Sequence, residues 1–264
     1  MTHFARIPRW ILSCLLLLAG SGSVVDAQIV NTLSGFEDEP GWSGGAEARF
    51  AQAGGNTDVL TLGAAAKVQW QSAAGDSGAL GSRHRVRVLG GATRSEADGR
   101  KVADSSMSHL RYNYRITPWL ATVTFVQHQR DPFQRLQSRF LLGAGLRFDI
   151  VRQAAWELSL GGAHMSERES IREEPAADYD QRLSTFLLWV GNLTSSVEVN
   201  VTGFYQPRWS DWGDARATAS GELRVDLASA LAVGWSASLQ HDSRPPEGVK
   251  STDWSYLTKL IVSL

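Results

Sequence analysis

The sequence has little of what several common protein classes need. It contains one cysteine, Cys14, in 264 residues, which excludes an internal disulfide and a zinc site built from cysteines. Lysine plus arginine (26) nearly equals aspartate plus glutamate (27), which argues against the strongly basic surface of a nucleic-acid-binding protein. After residue 27 no run of 18 apolar residues occurs, so the sequence does not predict a helical membrane protein.

What the sequence does contain, at its start, is the pattern of a targeting segment. Two arginines, Arg6 and Arg9, precede an apolar stretch (10–19), and small residues follow as far as Ala27. This order is typical of a secretory signal cleaved after Ala27, so we expect residues 1–27 to be a signal peptide. The alternative is an N-terminal membrane anchor, for which the apolar stretch is short.

From residue 41 onward, apolar and polar side chains alternate along the chain. Leu110 and Tyr112, for example, alternate with Arg111 and Asn113. Because successive side chains of a β-strand point to opposite faces of its sheet, this pattern predicts strands. The predicted strands are 41–52, 57–71, 82–93, 105–117, 119–130, 136–150, 155–168, 181–191, 195–206, 214–226, 230–242 and 252–264.

The length and the rims of these strands favour a membrane barrel over a soluble sandwich. Strands of soluble sheets usually have about 5–6 residues, whereas a tilted transmembrane strand needs about 9–11. Tryptophans near the strand ends on the apolar face suit the interfacial girdles of a barrel, the alternative being that they fill a soluble core. These tryptophans are Trp42, Trp70, Trp119, Trp156, Trp189 and Trp254.

The connections between the predicted strands alternate in length, as they do in outer-membrane barrels. The predicted outer loops include 94–104, 131–135, 169–180, 207–213 and 243–251, and the inner turns include Pro118 alone, 151–154, 192–194 and 227–229. Two connections depart from this pattern, because the outer loop 53–56 is short and the inner turn 72–81 is long. The predicted fold class is therefore all-β: a closed antiparallel transmembrane β-barrel of about 12 strands over residues 41–264, after a periplasmic segment at 28–40.

The polar face of the predicted strands carries more cations than anions and would line the lumen of a barrel. The candidate lumen-lining residues are Arg83, Arg85, Arg87, Arg111, Arg115, Arg139, Arg147, Glu198, Glu222 and Arg224. An excess of cations would favour anions in a conducting pore. A lumen filled by arginine–glutamate pairs is equally compatible with the pattern, and in a soluble sandwich the same residues would face water.

Three patches of the sequence resemble a known family. The patches are Gly55-Asn56-Thr57-Asp58, then Arg130-Asp131-Pro132-Phe133 with Arg139 and Gly143-Ala144-Gly145-Leu146, and finally the segment 242–253. Together they resemble the YdiY-like, salt-induced outer-membrane proteins, a family of unknown function. The resemblance implies an outer-membrane barrel domain with no established activity. Because the family often ends on an aromatic residue and this chain ends on Leu264, assembly is expected to depend more on Tyr256, Leu260 and Val262.

The sequence offers few candidates for catalysis or metal binding. His241, Asp242 and Ser243 contain the residue types of a hydrolytic triad, with Asp253 near them, but neighbouring residues of a strand point to opposite faces. The acidic stretch 167–180 has carboxylates that suit Ca²⁺, although a solvated loop explains it as well. We therefore expect no catalytic, cofactor or metal site.

The expected role is that of a non-enzymatic protein of the outer membrane, either a narrow pore or a structural, stress-related component of the envelope. Its expected partners are outer-membrane lipid and, during insertion, the barrel-assembly machinery, with no nucleic acid; the sequence does not give the oligomeric state. Two alternatives remain open. One is an outer-membrane enzyme that hydrolyses lipid or peptide, and the other is a soluble periplasmic β-protein that binds a ligand.

Overall fold

The computed structural model describes residues 40–55, 58–73, 82–153, 155–228 and 231–262. The strands are β1 (Gly41–Ala53), β2 (Val59–Gln71), β3 (His84–Ala97), β4 (Arg100–Thr117), β5 (Leu120–Asp131), β6 (Leu136–Arg152), β7 (Trp156–Ile171), β8 (Asp178–Thr194), β9 (Val197–Arg208), β10 (Asp211–Ala228), β11 (Leu231–Asp242) and β12 (Thr252–Val262). A 3₁₀ turn, Pro132–Gln134, lies between β5 and β6. Among the described residues, no helix is long and apolar enough to span a membrane.

The strands form one antiparallel sheet in which each strand pairs with its neighbours in the sequence. The order runs from β1 to β12 without a crossover, so the topology is an up-and-down meander. An all-β antiparallel fold of twelve strands is thus confirmed. Within the described ranges, no register joins β1 to β12, and closure of the barrel therefore stays a prediction.

The predicted strands correspond one to one with those of the structure, but three predicted outer loops are wrong in extent. The loop predicted at 94–104 is a two-residue turn, Asp98–Gly99, because β3 and β4 continue to the pair Ala97↔Arg100. The sequence did not predict this extension because its side chains are largely polar. Two of them, Arg94 and Glu96, form an ion pair on β3. In the same way, the outer loop predicted at 169–180 shortens to 172–177 and the one at 207–213 to 209–210.

Several predictions lie on residues outside the described ranges. They are the signal peptide (1–27), the periplasmic segment (28–40) apart from Pro40, most of the long inner turn (72–81) and the chain end at 263–264. We call the end of the sheet that carries the turn Asp98–Gly99 the outer end, and the opposite end the inner end.

The two faces of the sheet differ in a way opposite to that of a soluble protein. Along β6, Arg147 and Asp149 are buried, whereas Leu142, on the opposite face of the same strand, is 52% exposed. Buried and more exposed side chains alternate through β4 to β8, and the buried set includes the charged residues together with apolar ones such as Val123 and Met165. A large apolar face left exposed by a folded chain marks a surface that meets a partner or a membrane.

The sheet curls so that its polar face is concave. The guanidinium carbon of Arg111, on β4, lies 5.1 Å from the centre of the Phe186 ring on β8. At the outer end, Gln134 Nε2 donates to Asp253 Oδ2 at 3.5 Å, a contact between the β5–β6 turn and β12. Strands far apart in sequence thus meet across one interior, in which Phe186, Leu188 and Phe204 form a small apolar cluster.

Aromatic side chains lie at both ends of the exposed apolar face. At the inner end, Trp42 is 77% exposed and Trp156 is also exposed. At the outer end, Trp254 is 76% exposed and the Tyr179 ring packs beside Arg168. The strand from Trp156 to Arg168 rises about 40 Å at ~3.3 Å per residue, and a tilt of about 40° projects this to ~30 Å. That separation matches the height of a lipid-facing band with aromatic rims.

Candidate functional site

The outer half of the concave face holds buried arginines and carboxylates around Glu167. The Glu167 side chain on β7 is 1% exposed, and Arg182 Nε donates to its Oε2 at 2.7 Å. Arg139 Nε lies 3.0 Å from Oε1 of the same carboxylate, and Arg216 Nη1 donates to that oxygen. Because each guanidinium supplies a charge-assisted hydrogen bond, Glu167 is held as an anion that links β6, β7, β8 and β10.

The cluster extends away from Glu167 in two directions. Arg182 Nη2 donates to Asp214 Oδ1 at 2.9 Å, which reaches the start of β10. Arg216 Nε donates to Asp242 Oδ2 at 2.9 Å, which brings in β11. We call this group the outer plug. The outer plug consists of Arg139, Arg182, Arg208, Arg216, Glu167, Glu169, Asp180, Asp214 and Asp242.

The charges of the outer plug nearly balance, since four arginines meet five carboxylates. Removing a charge from water costs several kcal/mol, and attraction to a partner offsets that cost only where the geometry is good. The plug as a whole therefore adds little to stability, but the loss of any one member leaves the others buried and unpaired. Its bonds span the concave face from β6 to β11.

The outer mouth above the plug is bridged by two connections. Arg135, in the β5–β6 turn, donates Nη1 to the carbonyl oxygen of Glu247 at 3.0 Å and Nη2 to that of Arg172 at 3.1 Å. The turn itself is capped by Asp131, whose carboxylate accepts the backbone N–H of Phe133 at 3.0 Å. The segment 243–251 thus lies against the opposite side of the mouth rather than standing free.

The inner half of the concave face has a different charge balance. Arg115 Nη1 lies 2.9 Å from Asp149 Oδ2, and Arg147 Nε lies 2.6 Å from Oδ1 of the same carboxylate. Arg147 also contacts Glu157, and its Nη2 donates to Ser159 Oγ at 2.9 Å. We call the cations of this region the inner arginine group. The inner arginine group consists of Arg85, Arg87, Arg111, Arg115 and Arg147.

The inner arginines differ in the partners that they find. Arg85 Nε donates to the side-chain oxygen of Gln71 and Arg87 Nε to that of Gln69, each at 2.7 Å. Arg111 donates Nε to Asn113 Oδ1 at 3.3 Å and lies over the Phe186 ring. Neither the Asn113 amide nor the Phe186 ring cancels the positive charge of Arg111.

The structure brings most of the predicted lumen-lining residues to the concave face, at different depths. Five of them are buried: Arg87, Arg111, Arg115, Arg139 and Arg147. Arg83 and Arg85 are half-buried, and the side chains of Glu198, Glu222 and Arg224 are exposed near the inner end. Their function as the lining of a pore stays a prediction.

Sequence reasoning missed the carboxylates of the outer plug. Glu167 lies at the start of the acidic stretch that suggests a loop, yet the structure has it within β7, on the same face as Glu157 and Ser159. The signal was present in the spacing, because these three residues are separated by even intervals and share one face of a strand. Asp214 and Asp242 lie at the ends of predicted strands, where alternation does not indicate which face a side chain is on.

The candidate triad is not assembled. His241 is exposed and its Nδ1 lies 2.9 Å from Thr252 Oγ1, whereas Asp242 is buried and bonded to Arg216. Ser243 Oγ accepts the backbone N–H of Ala215 at 2.8 Å. The described residues also contain no group of three or more histidine, cysteine, aspartate or glutamate side chains that could hold a metal ion.

The molecule is thus an up-and-down β-sheet protein with an ionic concave face and an apolar outer face. Its sequence matches the family described as "Protein of unknown function, DUF481" over residues 46–264, and the chain belongs to this family. Membership confirms the predicted resemblance to a family of unknown function. None of the curated proteins matches the sequence significantly. Among solved structures, a "NanC porin structure in rhombohedral crystal form" is similar with a TM-score of 0.44 and 7% identity, covering 84% of this chain and 99% of that chain.

Proposed function

We propose that this protein is a non-enzymatic β-barrel of the bacterial outer membrane, with a lumen closed on its outer side by the outer plug. One observation carries the proposal: the exposed face is apolar and the buried face is ionic. An arginine or lysine that faces lipid near the midplane costs roughly 2–4 kcal/mol, and a barrel avoids this by turning such residues inward. Water would disfavour the same apolar face, which extends over most of the sheet.

The proposal includes closure of the sheet by pairing β1 with β12. Unpaired backbone groups in hydrocarbon cost several kcal/mol each, so a sheet that spans a membrane has no free edge. With an even number of antiparallel strands, the first and last run in opposite directions and can join in the same pattern as the others. The curl that brings Gln134 to Asp253 supports this closure.

Delivery of the protein requires a signal peptide, which we assign to residues 1–27, and a barrel-assembly machinery in the periplasm. The partner of the mature protein is outer-membrane lipid, held by the apolar band and its aromatic rims. The outer plug supports a lumen that conducts little at rest. The inner arginine group supports a second function, that of a narrow channel favouring anions once the plug is displaced.

Cell fractionation and gel migration test the proposal. We expect the full-length precursor, expressed in a Gram-negative host, to yield a protein that leaves the envelope only with detergent. Because a closed barrel resists unfolding by detergent, the folded protein should migrate differently before and after boiling. A soluble periplasmic protein, or one whose migration is the same in both samples, would contradict a membrane barrel.

A further inference from the structure

Arg111 is a buried arginine that the described residues leave with little compensation. Its side chain lies in the inner half of the interior and the residue is 3% exposed. Among the described residues, its Nη2 has no hydrogen-bond partner. A buried guanidinium with an unused donor is costly, because removal from water is not offset by new hydrogen bonds.

The charges around Arg111 increase that cost. The two charged groups that act on it most are Arg147 and Arg85, and both repel it. Asp149, on the same strand as Arg147, is already bonded to Arg115 and Arg147. An arginine placed among like charges, with a donor left over, is arranged to receive an anion from outside the chain.

A second unused donor lies beside Arg111 on the same face. Gln127, on β5, is directly opposite His109, and its Oε1 lies 2.7 Å from His109 Nδ1. This contact fixes the Gln127 amide, and its buried Nε2 has no partner among the residues that the structure describes. His109 precedes Arg111 by two positions on β4, a distance of about 7 Å along a strand. The donors of Arg111 and Gln127 therefore belong to one small region of the interior.

We propose that Arg111 and Gln127 form a binding site for a small oxyanion, of phosphate or carboxylate chemistry, inside the barrel between the inner arginine group and the outer plug. Arg111 supplies the charge and Gln127 a neutral N–H donor, while His109 holds the Gln127 amide in place. The flat Phe186 ring on the other side of Arg111 restricts the guanidinium to one orientation. The inference rests on the proposed function, since it takes the concave face to be the interior of a closed barrel.

The site would bind an anion that enters from the inner, periplasmic end. The plug closes the other side, and the inner arginine group supplies an attractive potential along the way. Binding neutralises repulsion among Arg85, Arg111 and Arg147, so an occupied barrel should be more stable than an empty one. The site thus couples the concentration of a periplasmic oxyanion to the stability of the barrel.

Thermal unfolding of the detergent-folded barrel, read from its unboiled and boiled gel bands, tests the site with inorganic phosphate as the probe. We expect phosphate to raise the unfolding temperature in a saturable way when ionic strength is matched with sodium chloride. The Arg111→Met variant should unfold at a higher temperature than the wild type without phosphate, because it removes a buried, repelled charge. It should also lose the phosphate response. Arg100→Met, at an exposed position of the outer β3–β4 hairpin, should retain the response.

If Arg111 had only a structural role, Arg111→Met would lower the unfolding temperature instead of raising it. If Arg111→Met does not fold, Gln127→Leu is the second variant, and it should weaken phosphate binding at least tenfold. A protein that is heat-modifiable but shows no saturable response to phosphate or acetate overturns the oxyanion site alone. A protein that is not heat-modifiable overturns the proposed function as well.

Discussion

Glu167 shows how much one side chain can hold together in this interior. Its two oxygens meet guanidinium groups from β6, β8 and β10, and its side chain is nearly inaccessible to solvent. Every strand that contributes an arginine is thereby fixed relative to β7. Glu167 thus lies at the centre of an ionic cluster. Among the described residues, buried apolar side chains form small groups elsewhere, one around Phe186 and one of Leu136 and Ile171.

We predict that Glu167→Gln destabilises the barrel by about 3 kcal/mol or more, because it leaves buried guanidinium groups without their common anion. The measurement is urea unfolding of the detergent-folded protein, followed by the loss of the unboiled gel band. The matched control is Asp226→Asn, which breaks the half-exposed ion pair with Arg224. An exposed pair contributes about 0–1 kcal/mol, so equal effects of the two variants would be evidence against the plug.

Arg111 and Glu167 also mark what the sequence could predict about the interior. Alternation along β4 and β6 placed Arg111, Arg115 and Arg147 on one face, and the structure agrees. Which arginine meets a carboxylate depends on which strands curl opposite one another, and that information is not local. The alternation predicted for β7 includes Glu167. The acidic residues that follow it are typical of a loop, so the sequence did not indicate that Glu167 is buried among arginines.

At the scale of the strand, the glycines of β6 and β7 control how closely the backbones approach. A Cβ added at Gly145 would lie 2.0 Å from the carbonyl oxygen of Gly162 and 2.4 Å from the Ala163 Cα. These are backbone atoms, so a flexible side chain cannot move aside to make room. By contrast, a Cβ added at Gly162 would meet nothing within 4 Å.

Gly145→Ala should therefore destabilise the β6–β7 pairing by about 1–3 kcal/mol, the usual cost of overpacking. Gly162→Ala should be neutral or slightly stabilising, since glycine in a strand is entropically unfavourable by about 0.5–1 kcal/mol. The fraction of heat-modifiable protein at a fixed urea concentration compares the two variants. If both alanines were tolerated equally, the close approach at Gly145 would be refuted.

Strand ends were the least predictable feature at this scale. The sequence located twelve strands, because alternation is a local property. It failed at the outer ends of β3 and β4, where Arg94 to Asp104 are polar on both faces and therefore resemble a loop. There the strands continue because Ala97 pairs with Arg100 and the backbone of Asp98 donates to the Asp58 carbonyl oxygen.

For the whole molecule, the decisive property is the difference between the two halves of the interior. The outer plug is nearly neutral and spans the concave face, whereas the inner arginine group includes Arg115 and Arg147, which pair with Asp149 and Glu157, and Arg111, which has no carboxylate among its described partners. In the proposed barrel, an ion that enters from the inner end would meet these arginines first and then the plug. Such a barrel should conduct poorly until the obstruction is removed.

In planar bilayers we expect the wild type to conduct little and the double variant Arg139→Ala/Arg216→Ala to conduct more, because both side chains cross the interior. Its current should favour anions over cations. Changing Arg83, Arg85 and Arg87 to glutamate in that background should abolish the anion preference. Arg224→Ala is the control, because it removes a positive charge near the inner end without altering the outer plug. A wild type that conducts as freely as the double variant would show that the plug does not obstruct the lumen.

The two-residue turns described above also bear on engineering. Insertions succeed mostly where the backbone is free of pairing. In the Asp98–Gly99 turn, the Asp98 N–H donates to the Asp58 carbonyl oxygen and the Asp98 carboxylate accepts the Asp58 N–H. The segment around Gly248, which has a φ of 80°, belongs to no strand. In a barrel of the proposed orientation, a peptide grafted next to Gly248 would be displayed to the medium, while one grafted at Asp98 would disrupt the hairpin that carries it.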